Sequence, residues 1–224
     1  MSRPGTPSRS DAAAAPTVAC HPVTSERVGD LERFASVRGR HRHRRLRSCG
    51  YLRGRLPTSA FQRSTPDRRR RALVDLVRAA VPVGVLAYAD GEPVGWCSVA
   101  PRPTQGAVAR SRQLAPVDAA PVWSVVCVVV DARFRRRLTG QLPVARVAYA
   151  TDLGATVVDG YPVEPDPLRY PYVGSPATVR TAGFRDVMPP GRSRRVVRRG
   201  AVPAEGASDP GLYSGRPSPG TEEL

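Results

Sequence analysis

The chain has 224 residues, 35 basic against 19 acidic, for a formal net charge of +16. Every basic residue is arginine, so chemistries that need a lysine ammonium, the P-loop phosphate grip and the pyridoxal Schiff base, are excluded. A single domain of this length holds a core without disulfide or metal staples, and Cys20, Cys49, Cys97 and Cys127 lack C-x-x-C spacing and read as free thiols.

Arginine without lysine, among many Ala, Pro, Gly and Val residues, reads as composition before function, so no specific nucleic acid is expected as partner. The longest apolar stretch, Val122 to Val130, is strand length, and no membrane span or export signal is read, which makes a cytoplasmic protein the expectation.

In chain order, residues 1–22 and 201–224 carry no periodicity and are expected as disordered tails around one domain, 23–200. Asp30 caps a short turn with Leu31, Phe34 and Ala35 on one face, and Arg38 to Arg55 reads as loop or irregular helix. Thr65-Pro66-Asp67 starts a helix through Ala72, Leu73, Leu76, Val77 and Ala80, with Arg68 to Arg71 as a solvated charge run. Asp90-Gly91 joins Val83–Tyr88 and Glu92–Ala100 in a hairpin. Trp123–Val130 is a β-branched run covered on both faces. A helix follows over Leu138–Leu153, closed by Gly154, then a buried strand over Ala155–Val163. A short helix, Pro176–Ala182, and strands over Phe184–Met188 and Arg194–Arg198 complete an α/β order with a mixed sheet.

Several long stretches carry a resemblance. They are Gly84-Val85-Leu86-Ala87-Tyr88-Ala89-Asp90-Gly91-Glu92-Pro93-Val94-Gly95-Trp96, Trp123-Ser124-Val125-Val126-Cys127, and Gly154-Ala155-Thr156-Val157-Val158-Asp159-Gly160-Tyr161-Pro162-Val163. With Ala109 to Asp118 and the closing Tyr172-x-Gly174, Thr178 and Ala182-Gly183-Phe184, the chain resembles the GNAT N-acetyltransferase superfamily, in an actinobacterial-type branch, from about Val28 to Arg199. The resemblance implies an α/β fold with a mixed, mostly antiparallel central sheet, flanked by helices and splayed at its two central strands. It also implies acetyl-CoA as acyl donor and direct transfer to a primary amine, borne by a small molecule or a peptide.

The same resemblance implies the site. Cys127, Val128 and Val130 would pair with the pantetheine arm, and Arg135, Arg136, Arg137, Leu138, Thr139 and Gly140 would hold the pyrophosphate at a helix start. The family's loop reads Q/R-x-x-G-x-G/A. Here either Leu138 stands in place of the first glycine, or that glycine is missing and Leu138-Thr139 follow the arginines directly. Pro143 falls some four residues into the helix expected there. The position four before Gly183, a tyrosine proton donor in many members, is Val179, so Tyr172 or Tyr161 stands as substitute, and Asp159 as the carboxylate beside the amine. A second reading stays open: an impaired GNAT-fold module that binds acyl-CoA or an acidic partner. His41, His43 and Cys49 do not match a metal spacing. The acceptor and the oligomeric state are not legible.

Overall fold

Asp90 and Gly91 both adopt positive φ, 49° and 78°, the geometry a two-residue hairpin turn requires. They join strands that are apolar on both faces. In the computed structural model, which describes residues 17–36, 52, 54–163, 176–188 and 195–201, this hairpin sits near one end of a seven-stranded sheet. The elements in chain order are β1 (Val18–Pro22), α1 (Val28–Ser36), α2 (Thr58–Arg63), α3 (Pro66–Arg78), β2 (Gly84–Ala89), β3 (Glu92–Pro101), α4 (Gly106–Ala109) and β4 (Val122–Val130). There follow α5 (Arg135–Asp152), β5 (Val157–Gly160), α6 (Pro176–Thr181), β6 (Arg185–Asp186) and β7 (Val197–Gly200). The sheet order is β1-β2-β3-β4-β5-β7-β6. Among the described residues only β4 and β5 run parallel, and the other five pairings are antiparallel. This is the mixed, mostly antiparallel α/β architecture expected from the sequence.

Two apolar layers hold the sheet between helices. Leu138, Leu142, Val147 and Ala150 of α5 pack on one face with Val85, Ala87, Cys97, Val99 and Val125. Leu31 and Phe34 of α1 and Leu73, Val74 and Val77 of α3 pack on the other with Leu86, Trp96 and Val129. Thr65 caps α3 as its sequence implies, accepting Arg68 N–H at 3.3 Å.

Three departures from the sequence reading have physical reasons. Val18–Pro22, expected within the tail, is an edge strand on β2; five residues without periodicity become a strand because β2 offers an open edge. Asp30 lies inside α1, where its carboxylate takes Arg33 at 2.9 Å and the Tyr88 hydroxyl at 2.8 Å. Arg69, expected in a solvated run, is buried: it donates to Phe61 O at 2.9 Å and lies over the Phe61 ring at 4.2 Å, which closes the end of α2. The charge keeps its hydrogen-bond partners, so burial is tolerated. Among the described residues no helix is long and apolar enough to cross a membrane.

Candidate functional site

β4 and β5 part company halfway along β4. Their parallel pairing runs from Val122 opposite Val157 to Val125 opposite Gly160 and ends there, whereas β4 continues to Val130. Val126 to Val130 therefore keep β3 on one side and, among the described residues, have no strand on the other. At the point of parting Ser98 pairs with Cys127 and Val99 with Val125, which makes Val126 an extra residue in β4. Such a bulge leaves its own backbone groups outside the ladder and bends the strand.

The ladder also fixes which backbone groups face the gap. Asp131 N–H donates to Val94 O at 2.8 Å. Antiparallel pairs alternate in their bonding, so Val129 and Cys127 spend their N–H and C=O on β3, and Val128 and Val130 turn theirs to the cleft. Among the described residues, no strand lies beside Val128 and Val130 on the side away from β3. Cys127 puts its side chain into the core, 4% exposed.

At the closed end of the cleft lies a polar network. The Ser124 and Tyr161 hydroxyls are 2.7 Å apart. Arg102 donates to the Tyr161 oxygen at 3.0 Å and to the carbonyls of Leu114 and Val108 at 2.6 and 3.1 Å. Burial pushes the Tyr161 hydroxyl up, and the Ser124 hydrogen bond works against it. Asp159 is buried too, but both its oxygens are taken by Arg198, Nε at 2.8 Å and Nη2 at 3.1 Å, while Arg198 Nη1 also meets Asp118. These hydrogen bonds raise the Arg198 guanidinium above its usual value. Each oxygen of Asp159 is thus engaged by the same guanidinium, which holds the carboxylate in place between β5 and β7. Val179 is buried in the core, and Tyr172 lies outside the described residues.

At the mouth of the cleft, Asp131 accepts Arg133 N–H at 3.0 Å and pairs with the Arg133 guanidinium at 2.9 Å. A 3-10 turn, Ala132–Phe134, then runs straight into α5. Arg135, Arg136 and Arg137, expected in a loop, form its first turn, with Leu138, Thr139 and Gly140 following as helix. The physical reason is local. No glycine interrupts the arginines, and helix turns Leu138 into the core, where it is 1% exposed and a Cβ on Gly95 would meet its Cδ1 at 3.3 Å. Leu138 therefore packs on the sheet and does not stand across the helix mouth. Pro143 is the ninth residue of this helix and well past its first turn, so the Thr139 carbonyl loses its intrahelical donor.

Among the described residues no group of three His, Cys, Asp or Glu side chains could hold a metal; His41, His43 and Cys49 lie outside them. Cys20, Cys97 and Cys127 form no disulfide. The sequence reading missed Arg198 as the partner of Asp159, a pairing set by the β5–β7 register, and it missed Gln105, which is fully buried beside β4.

No protein-family model matches the chain, and no curated protein matches it in sequence. Solved structures do match. A GCN5-related N-acetyltransferase from Kribbella flavida is 15% identical over 79% of this chain, with a TM-score of 0.42. This chain spans 35% of that protein's length. A mutant agmatine N-acetyltransferase in its apo form is 13% identical over 82% of this chain and 99% of its own, with a TM-score of 0.48. A Drosophila melanogaster polyamine N-acetyltransferase is 14% identical over 81% and 97%, with a TM-score of 0.47.

Proposed function

We propose that the chain is an acyl-CoA-dependent N-acetyltransferase that passes acetyl to a primary amine by direct attack, as the GNAT resemblance implies. One observation carries this reading: among the described residues, the edge of β4 from the Val126 bulge to Val130 has no strand beside it where β5 ends. Acetyl-CoA supplies an acetyl group activated as a thioester. The residues fit such a donor. Val128 and Val130 offer N–H and C=O groups spaced for the amides of an extended arm. The Val126 N–H, at the bulge where the strands part, is assigned the polarising of the thioester carbonyl. The first turn of α5 joins the positive end of the helix dipole to Arg135, Arg136 and Arg137, which suits a pyrophosphate.

Two residue roles follow. Tyr172 is assigned the proton delivered to the departing thiolate. Asp159, held by Arg198, anchors β7 to β5 in this reading, and the amine proton passes to solvent. The second reading, a module that binds acyl-CoA or an acidic partner without turnover, draws on the unbroken helix start at Arg135, where a glycine loop would let phosphate approach closer backbone.

Thermal melting with acetyl-CoA, followed by thiol release with a panel of primary amines, tests both. A donor at about 100 times its Kd adds roughly 2.7 kcal/mol to stability, so a clear rise in Tm with amine-dependent thiol release is expected. A rise without thiol release moves the protein to the binding-module reading. No rise at millimolar acetyl-CoA removes both.

A further inference from the structure

Gln105 is completely buried between β3 and α4, yet among the described residues neither its amide oxygen nor its amide nitrogen has a hydrogen-bond partner. Folded proteins satisfy buried amides almost without exception, and an orphan of this kind asks for an explanation. Its position supplies one. A Cβ built on Gly54 would lie 2.3 Å from Val126 Cγ2 and 3.2 Å from Gln105 Oε1, so Gly54 sits against both the amide and the bulge residue of β4. Ser98, across from Cys127 beside the bulge, is also completely buried with its hydroxyl unpartnered. Two unspent polar side chains thus adjoin the strand position that the acetyltransferase reading gives to the thioester carbonyl.

Among the described residues, Gly54 lies against Gln105. Gly54 O accepts Ala107 N–H at 3.0 Å, and the Arg55 guanidinium donates to Pro82 O. An acceptor that displaced Gly54 would exchange a sealed, unpaired amide for a paired one.

We propose that Gln105 is a specificity-determining residue on the acceptor side of the cleft, and that the acceptor carries a carboxamide or peptide amide beside its amine. The inference rests on the acetyltransferase reading. Its chemistry is that of complementary groups: an amide gives Gln105 one donor and one acceptor at once, whereas a carboxylate gives acceptors alone and an ammonium donors alone. Among the described residues, Asp159 and Asp118 both pair with Arg198, and the cation that reaches the Gln105 segment is Arg55, through Thr104. A site built for hydrogen bonding rejects an analogue that leaves its polar groups unpaired.

The test uses the full chain with acetyl-CoA and three acceptors: alaninamide, alanine and agmatine. Alaninamide is expected to show a kcat/KM at least tenfold above either of the others. In Gln105→Met, the KM for alaninamide rises at least tenfold, the KM for acetyl-CoA is unchanged and the preference disappears. The ligand-free Tm of this variant equals or exceeds that of the parent, because a side chain of similar volume replaces an unpaired amide. Gln105→Glu, which keeps the length and removes the donor, loses the preference in the same way should the methionine variant not fold. Preference for alanine or agmatine, or an unchanged preference in either variant that folds, overturns the proposal. Should none of the amines support consumption of acetyl-CoA, the acetyltransferase reading fails by itself. Calorimetry of alaninamide binding to the parent and to Gln105→Met then decides the role of Gln105, and equal heats overturn it.

Discussion

Arg198 ties together three pieces of chain that are distant in sequence: its own strand β7, Asp159 on β5, and Asp118 in the segment before β4. Asp118 is half exposed, and its carboxyl is held below the usual carboxylate range first by Arg198 and then by the Ala120 N–H. A carboxyl whose folded value is depressed contributes stability that is fully present above its ordinary value, about 3.9, and is lost as pH falls through the folded value. Thermal melts between pH 7 and pH 3 should therefore show Asp118→Asn less stable than the parent at neutral pH, with the two curves converging in acid. Parallel curves would mean that the Asp118 contact contributes nothing. At this scale the sequence was partly legible. Asp159 stood out as a charge on a strand of buried residues, but Arg198 did not, because the pair arises from strands 39 positions apart whose register no local pattern encodes. Gln105 gave no local signal at all: its character comes from the bulge and the glycine turn that meet it.

α5 shows what an element-scale reading captures and what it misses. Its end was clear from Gly154, which takes φ of 87° just past the last turn. Its start was placed three residues late, at Leu138 in place of Arg135, because three arginines in a row look alike as loop or as first turn. The two descriptions differ in what Leu138 does. As a core residue it should cost about 2–5 kcal/mol when truncated to alanine, measured by denaturant unfolding. A loss under about 0.5 kcal/mol would take Leu138 out of the core and return the segment to a phosphate loop. The hairpin at Asp90-Gly91 and the cap at Thr65 were readable for the opposite reason: each is fixed by a few neighbouring residues whose backbone needs are specific. β1 was missed because a five-residue edge strand owes its form to the neighbour it pairs with.

For the whole molecule, the order of strands and helices was enough to imply a mixed sheet, the resemblance added the helices that flank it, and the structure has that sheet. What the sequence could not show is where two parallel strands separate, since this depends on β5 ending after four residues while β4 runs on for nine. Among the described residues that difference in length leaves the far half of β4 without a neighbour on one side, and the central proposal is that this side is a backbone surface for acetyl-CoA. A backbone amide NMR titration tests it most directly. On addition of acetyl-CoA, the amide signals of Val126, Val128 and Val130 and of Arg135 to Gly140 should move together and saturate, while those of β1 and β6 stay in place. Saturation with no change at Val126, Val128 and Val130, or no change anywhere at millimolar acetyl-CoA, would contradict the account.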